Sequence, residues 1–121
     1  MKLGETRVKV TVHGPKGSED VVMLADTGSS HTMVSKDLAE RLGIEPMGEA
    51  VAELADGTER QLELGRAEIQ IGAERERVRV VIGPVGESLL GLSTLETLGF
   101  KVNPVAHRLE PAKLILYAAV G

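Results

Sequence analysis

The sequence predicts a mainly β fold with two short helices, and three patterns lead to that prediction. Apolar and polar residues alternate in several segments, as at Val8, Val10 and Val12, and such alternation is typical of half-buried strands. Asp56-Gly57 stands between two of these segments, which is a strong hairpin signal. The two helical segments are too few and too short to cover a parallel sheet. We therefore expect an all-β class.

The first strands are predicted to form a β-hairpin over residues 5–25. A turn cluster at residues 13–18 separates the alternating segment from the apolar run Val21–Ala25. Because this run has no polar interruption, we expect the second strand to be covered on both faces.

Two short helices are predicted further along the chain. Ser35 can cap the first one and Gly43 ends it. In the second, Ser93 and Glu96 have the spacing of a capping box, and Gly99 marks the end. The remaining predicted strands are residues 50–54, 58–64, 68–71, 77–82 and 114–117, with turns at 103–104 and 107–108.

Both helices end alike, in Leu42-Gly43 and in Leu98-Gly99. Two explanations stay open at this point. Leu-Gly is a common helix ending, and an internal duplication would produce the same echo.

Composition limits the classes of function. The chain has 121 residues, which suits one domain over residues 1–121, and a formal net charge of -4. With no cysteine, disulfides, thiolate zinc sites and cysteine nucleophiles are excluded, and we expect a cytoplasmic location. An acidic chain with one Tyr and one Phe argues against a nucleic-acid partner. There is no apolar run long enough to span a membrane, so no membrane partner is expected.

No metal or other cofactor is predicted. His13, His31 and His107 lie in apparent turns, and none has a second ligand at the spacing of a metal site. Asp26, Ser29 and His31 also do not suit a Ser-His-Asp triad. The three groups of such a relay are usually brought together from distant segments, whereas these three residues lie within six consecutive positions.

The most informative segment is Leu24–Ser29. It holds a carboxylate, Asp26, directly after a buried strand, with hydroxyls and a glycine beside it. A buried carboxylate requires hydrogen-bond partners, and Thr27 and Ser29 can supply them. As an isolated tripeptide, Asp-Thr-Gly also fits a simple turn after a strand.

The surrounding sequence favours the functional interpretation. Leu24–Ser29 resembles the aspartic protease signature of two hydrophobic residues followed by Asp-Thr-Gly-Ser. Leu89–Gly91, before a helix, resembles the second signature of that family, and the Asp56-Gly57 hairpin stands between them like its flap. The order and spacing of these three features, over residues 6–117, resemble the single-lobed retropepsin-like proteases.

The resemblance implies a closed retropepsin-like acid-protease β-barrel with a flap hairpin, and an aspartic endopeptidase that cleaves polypeptides. Because only one Asp-Thr-Gly occurs, the second catalytic carboxylate would come from another copy, in a homodimer. Asp26 would be catalytic, Thr27 would bond across the dimer axis, Gly28 would allow close approach and Ser29 would bond the outer carboxylate oxygen. The supporting loop beneath the site would be formed by Leu89, Leu90 and Gly91, and the flap by Ala55, Asp56, Gly57 and Thr58. The predicted last strand, Leu114–Tyr117, would pair between subunits.

The chain departs from the retroviral pattern at one ion pair. Retroviral members carry an Arg soon after the second signature and an acid soon after Asp-Thr-Gly, whereas here Leu92, Ser93, Ser30 and His31 stand there. The flap is also charged. These departures keep open a second function, a weakly active or inactive peptide-binding or assembly module, and a third, a purely structural β-domain.

A row of arginines at residues 75, 77 and 79 alternates with Glu74, Glu76 and Val78. Such a row can meet an acidic partner. The interleaved glutamates favour a solvated face of the sheet instead.

Overall fold

A computed structural model describes residues 5–84, 86 and 88–112. Within these residues the chain forms mostly strands, with two helices of seven residues each. In chain order the elements are β1 (Thr6–Gly14), β2 (Gly17–Asp26), β3 (Thr32–Ser35), α1 (Lys36–Leu42), β4 (Gly48–Glu53), β5 (Glu59–Ile71), β6 (Glu74–Gly83), β7 (Leu89–Gly91), α2 (Leu92–Leu98), β8 (Phe100–Asn103) and β9 (Arg108–Pro111). The predicted all-β class is confirmed.

Six strands close into a barrel. Their order is β1-β2-β7-β3-β6-β5, and β5 pairs back onto β1. The β2–β7 and β3–β6 pairs are parallel and the other pairs of the ring are antiparallel. β4 lies outside the ring and pairs with β5 alone, while β8 and β9 form a separate hairpin. The closed barrel with a projecting hairpin is the architecture that the resemblance implied.

The β1–β2 hairpin has the predicted extent, but its second strand is covered on one face only. Val10 and Met23 are fully buried, whereas Val22, between Val21 and Met23, is 56% exposed. Val22 pairs with Lys9. The outer face of this antiparallel pair meets solvent, so the expectation of a strand covered on both faces is wrong.

β5 is a single strand of 13 residues, whereas the sequence predicts two strands with a break between them. The predicted break contains Gly65, which continues the ladder opposite Val80. A Cβ at Gly65 would lie 3.1 Å from both the Glu45 carbonyl oxygen and Ile44 Cγ2. The glycine therefore lets β5 pass close to the segment after α1, and does not interrupt the strand.

Four short strands were not predicted. β3, β7, β8 and β9 have three or four residues each, too few to display an alternating pattern. The predicted turns at 103–104 and 107–108 match the connection between β8 and β9. The predicted strand Leu114–Tyr117 lies outside the described residues.

Both helices end at the predicted glycines, but only α1 has the predicted cap at its start. Gly43 and Gly99 both have left-handed backbones, with φ of 71° and 82°, as helix C-caps require. Ser35 caps α1 because its hydroxyl accepts from the Leu38 amide at 3.2 Å. α2 begins after Gly91 with no side-chain cap, so the predicted capping box of Ser93 and Glu96 is wrong.

The same succession of elements occurs twice around the barrel. A first half, residues 6–43, runs β1-β2-β3-α1, and a second half, residues 59–99, runs β5-β6-β7-α2. Each begins with an antiparallel pair, and β2 pairs in parallel with β7 as β6 does with β3. This two-fold arrangement is the one that an internal duplication would give. Both halves contribute to one core, which includes Val10, Met23, Val34, Leu38, Leu42, Ile69, Val80, Leu90, Leu95 and Leu98.

Candidate active site

Asp26 is the last residue of β2, and its half-buried carboxylate is held by the turn that follows. Oδ1 accepts a hydrogen bond from the Gly28 amide at 2.9 Å, and Oδ2 accepts one from the Ser29 hydroxyl at 3.3 Å. The Ser29 amide donates to the Asp26 carbonyl at 3.1 Å. A Cβ at Gly28 would lie 3.1 Å from Oδ1, so the glycine leaves room for the carboxylate. The two bonds together fix the orientation of the carboxylate within the turn.

The loop after Asp26 is fastened to the start of α2 through backbone atoms. The Leu92 amide donates to the Ser29 carbonyl at 2.8 Å, and the Ser93 amide donates to the Ser30 carbonyl at 3.0 Å. The first amides of a helix have no partner inside the helix. Here the loop carbonyls satisfy two of them, which explains why α2 needs no side-chain cap. Leu92, Ser93 and Ser30 are three of the four residues that stand where the resemblance implies an ion pair.

A buried hydrogen-bonded chain lies behind this contact. The Gly91 amide donates to the Thr32 hydroxyl at 3.0 Å, and that hydroxyl donates to Thr94 Oγ1 at 2.6 Å. Thr32 and Thr94 are at most 1% exposed. A Cβ at Gly91 would lie 2.3 Å from the His31 carbonyl carbon, so no side chain fits there. The loop and β7 are thus in backbone contact.

The second signature is a strand and not the loop that the resemblance implied. Leu89, Leu90 and Gly91 form β7, whose residues pair in parallel with Leu24, Ala25 and Asp26 respectively. Leu90 is fully buried in the core. Gly91 lies directly beside Asp26 in the ladder, so the two signatures meet at the end of β2.

The predicted flap is a hairpin made by β4 and the first part of β5. At its tip, Asp56 Oδ1 accepts from the Thr58 amide at 3.0 Å and from the Thr58 hydroxyl at 2.6 Å. These bonds, the side-chain one first, hold the pKa of Asp56 below its ordinary value of 3.8. Gly57 takes the left-handed backbone, with φ of 84°. The predicted turn residues therefore form the turn.

A cleft of about 540 Å³ lies between the loop after Asp26 and the flap. Its walls come from the loop, β3, both flap strands and the end of β6; they are Gly28, Ser29, Ser30, His31, Met33, Ala50, Val51, Ala52, Glu53, Leu54, Ala55, Leu62, Leu64, Arg79 and Val81. Of the predicted flap residues, Ala55 lines this cleft, whereas Asp56, Gly57 and Thr58 do not. Asp26 and Thr27 stand at the margin of the cleft and are not part of its wall.

Several wall residues were missed by the sequence analysis. Leu62, Leu64 and Val81 have the same alternating pattern as core residues, and only the pairing of β5 with β6 gives them a common face. Met33 lies on a strand too short to predict. The alternation of apolar and polar residues along the two flap strands was the one feature of the sequence that could have indicated these wall residues.

The three histidines lie apart. His31 lies on the loop after Asp26 and lines the cleft. His13 bonds Gln70, and His107 contacts the Glu5 carbonyl at 3.2 Å. Across the described part of the chain, no group of three or more His, Cys, Asp or Glu side chains could hold a metal ion. Neither helix in that part is long and apolar enough to cross a membrane.

Comparison with known proteins agrees with this geometry. The sequence model of a family described as aspartyl protease matches residues 8–94, from β1 to the first turn of α2. The chain belongs to the aspartyl protease family. The match includes the Asp26 loop, the flap and the second signature of this aspartyl protease.

Two solved structures with the same fold are a retroviral and a foamy virus protease. The protease of EIAV, solved with the inhibitor HBY-793, has a TM-score of 0.64 at 16% identity, and 93% of each chain is covered. The Simian Foamy Virus (mac) protease in solution has a TM-score of 0.57 at 16% identity, over 77% of this chain and 94% of the other. The fold is therefore retropepsin-like. No curated protein sequence matches this aspartyl protease significantly.

Proposed function

We propose that this chain is one subunit of a homodimeric aspartic endopeptidase, in which Asp26 meets the partner subunit's Asp26 at a two-fold axis. The observation that carries the proposal is the single Asp-Thr-Gly at the margin of a cleft. A second copy related by a two-fold axis would bring an identical carboxylate and an identical half-cleft. Thr27, which is exposed beside Asp26, would then bond across the axis.

The proposed reaction uses two carboxylates and water. Two carboxylates in contact share one proton, because both cannot ionise at low cost. The ionised carboxylate takes a proton from a water molecule, whose oxygen attacks the carbonyl carbon of the peptide bond. The protonated carboxyl donates its proton to the carbonyl oxygen. The tetrahedral intermediate then collapses as the C–N bond breaks. The carboxyl that took the proton of the water donates it to the leaving nitrogen, and the other carboxylate takes a proton from a hydroxyl of the intermediate, so the pair again shares one proton.

Contacts within one chain are consistent with the roles proposed for Gly28, Ser29 and the flap. The Gly28 amide and the Ser29 hydroxyl bond the two oxygens of Asp26 and so orient the carboxylate. The flap, whose turn is closed by Asp56, would cover a bound peptide and exclude water. The cytoplasm, expected from the lack of cysteine, is the location proposed for this activity.

The test compares wild type with Asp26→Asn on an unfolded protein substrate, from acidic to neutral pH. Loss of a catalytic acid or base lowers the rate by about 100-fold or more. Asp26→Asn should therefore cleave the substrate at least about 100-fold more slowly than wild type. Asp37→Asn is the matched control, since Asp37 is exposed on α1 and outside the cleft. Equal cleavage by wild type and Asp26→Asn would contradict the mechanism.

The homodimer is tested by sedimentation at the concentrations of the assay. A shared site requires activity and dimer fraction to fall together on dilution. Activity that persists in a strict monomer would contradict the shared site.

A second function is favoured by one observation. Where the resemblance implies an ion pair, this chain has Leu92, Ser93, Ser30 and His31, and backbone bonds join the loop to α2. A chain that lost catalysis while keeping the fold would retain the cleft. Such a peptide-binding or assembly module would bind peptides at every pH without cleaving them. Proteolysis that is inhibited by pepstatin would exclude it.

A further inference from the structure

One face of the antiparallel pair β5–β6, called here the β5–β6 ribbon, extends from inside the cleft to the surface outside it. Its side chains are apolar inside the cleft and basic outside. Side chains two residues apart share a face. On this face Leu64 and Val81 pair inside the cleft, and Arg66 and Arg79 form the next pair outward. Beyond them Arg77 lies opposite Glu68 in the ladder. The wall that is apolar inside the cleft becomes basic at its mouth.

This basic strip is defined as Arg66, Arg77 and Arg79. Arg66 and Arg77 line a further depression together with Glu40 and Glu45, but they form no ion pair with these acids. All three side chains are exposed, and none makes an ion pair within the described residues. Glu68, the acid on the same face, bonds Arg75. Like charges directly opposite each other destabilise a sheet, yet Arg66 and Arg79 pair in register in a chain whose net charge is -4.

The strip is continuous with the cleft. Arg79 lines the cleft and also a neighbouring depression of about 340 Å³, to which Arg66 and Arg77 contribute. The other side of this depression is formed by His31, Ser93 and Thr97. All three are exposed. His31 belongs to the loop that follows Asp26, and the Thr97 hydroxyl donates to the Ser93 carbonyl at 2.8 Å. An extended peptide leaving the cleft along the ribbon would pass between these three residues and the arginines.

We infer that the basic strip binds acidic side chains of the peptide substrate, outside the apolar residues that occupy the cleft. This inference rests on the proposed function. Arginine suits the task because its planar guanidinium bonds a carboxylate through two N–H groups. Arg79 lies two residues from Val81, or about 7 Å along the strand, so the acidic residue stands about two positions beyond the apolar one. Two-fold symmetry gives a strip at each end of the shared cleft.

Three peptides with the same apolar centre, flanked by Glu, by Gln or by Lys, test the inference. Binding is measured by fluorescence anisotropy on the 121-residue chain with Asp26→Asn, and cleavage is measured on wild type. Exposed ion pairs are individually weak, so we expect the Glu-flanked peptide to bind about fivefold tighter than the Gln-flanked one. The preference should shrink at high salt, because exposed charges are screened.

Charge reversal provides the second arm. The double variant Arg77→Glu with Arg79→Glu should prefer the Lys-flanked peptide. Arg77→Gln with Arg79→Gln, which keeps Arg66, should show a smaller preference for the Glu-flanked peptide than wild type. Arg108→Glu is the matched control, since Arg108 is exposed on β9 and outside both the cleft and the strip. It should keep the wild-type preference.

The outcomes separate this inference from the proposed function. Cleavage of all three peptides at equal rates would overturn the acidic preference and leave the protease intact. Preferential binding of the Glu-flanked peptide without any cleavage would support the strip and contradict catalysis. A single-stranded oligonucleotide that binds the strip more tightly than the Glu-flanked peptide would overturn the assignment of a peptide ligand.

Discussion

The two halves of the barrel have the same topology, but only one of them carries the carboxylate. The ladder pairs Asp26 with Gly91 and, at the equivalent position, Gly83 with Ser35. Asp26 at the end of β2 thus corresponds to Gly83 at the end of β6, and Ser35 before α1 corresponds to Gly91 before α2. The first half has the acid and a capped helix; the second has neither.

This difference between the halves shows that the second half holds the Asp26 loop in position. At Gly91 a side chain is excluded by the His31 backbone, so α2 cannot have the serine cap that α1 has. Its first amides bond the carbonyls of Ser29 and Ser30 instead. One half supplies the reactive group and the other half uses its helix start to fix the loop that carries it.

The strongest test of this division is Gly91→Ala. The added Cβ would lie 2.3 Å from a backbone carbon, and this cannot be relieved by rotating a side chain. We expect a loss of more than about 3 kcal/mol in the free energy of unfolding, measured by urea denaturation. Gly48→Ala is the control, because its Cβ would meet no atom within 4 Å. Equal stability of the two variants would show that the halves are not in close contact.

Thr32→Val removes the hydroxyl that joins the two halves. It leaves the buried Gly91 amide without its acceptor, which costs about 2 kcal/mol. Thr94→Val should cost less, because the Thr32 hydroxyl remains available to Gly91. Urea denaturation of both variants measures the order, and a larger loss in Thr94→Val would contradict this account of the hydrogen-bonded chain.

Serine substitutions compare the two helix starts directly. Ser35→Ala removes the α1 cap and should lower the free energy of unfolding by about 1 kcal/mol. Ser93→Ala should leave it nearly unchanged, since the bond to the Ser30 carbonyl uses the backbone amide of residue 93. Thermal denaturation of the pair measures the difference. Equal losses would restore the capping box predicted for α2.

The smallest effect on stability is expected from Arg41→Gln, which removes the ion pair between β2 and α1. Arg41 bonds Glu19 at 2.8 Å and 3.2 Å, and this hydrogen bond holds the pKa of Glu19 below its ordinary value of 4.5. The stabilisation is therefore fully present above pH 4.5 and is lost as the pH falls through the lowered pKa. In Arg41→Gln the pKa of Glu19 should rise towards 4.5, as measured by NMR titration. An unchanged pKa would contradict the pairing.

Local patterns were enough to predict much of this fold. The β1–β2 hairpin, α1 with its Ser35 cap, and the flap turn all depend on residues close together in sequence. The strands β3 and β7 could not be predicted, because three or four residues form a strand only when distant segments supply their partners. The break predicted between residues 64 and 68 was wrong for the same reason, because the close approach of Ile44 to Gly65 cannot be seen in the sequence.

In the candidate site, too, the features that depend on neighbouring residues could be predicted, and those that depend on distant segments could not. Asp26 and Ser29 were identified from a contiguous motif, and their hydrogen bond depends on residues within the turn. The fastening of that turn to α2, and the cleft wall at Leu64 and Val81, depend on pairings between segments far apart in the chain. Such contacts have no signature in one sequence.

The position of β4 outside the closed ring has a consequence for solubility. Strands within a ring expose no unpaired edge, whereas β4 has one side without a partner strand among the described residues. Unpaired edges promote aggregation unless charges interrupt them. Val51 is 64% exposed on β4, and Glu49 and Glu53 stand on either side of it on the same face. These two glutamates protect the flap from intermolecular β-pairing while leaving its edge open.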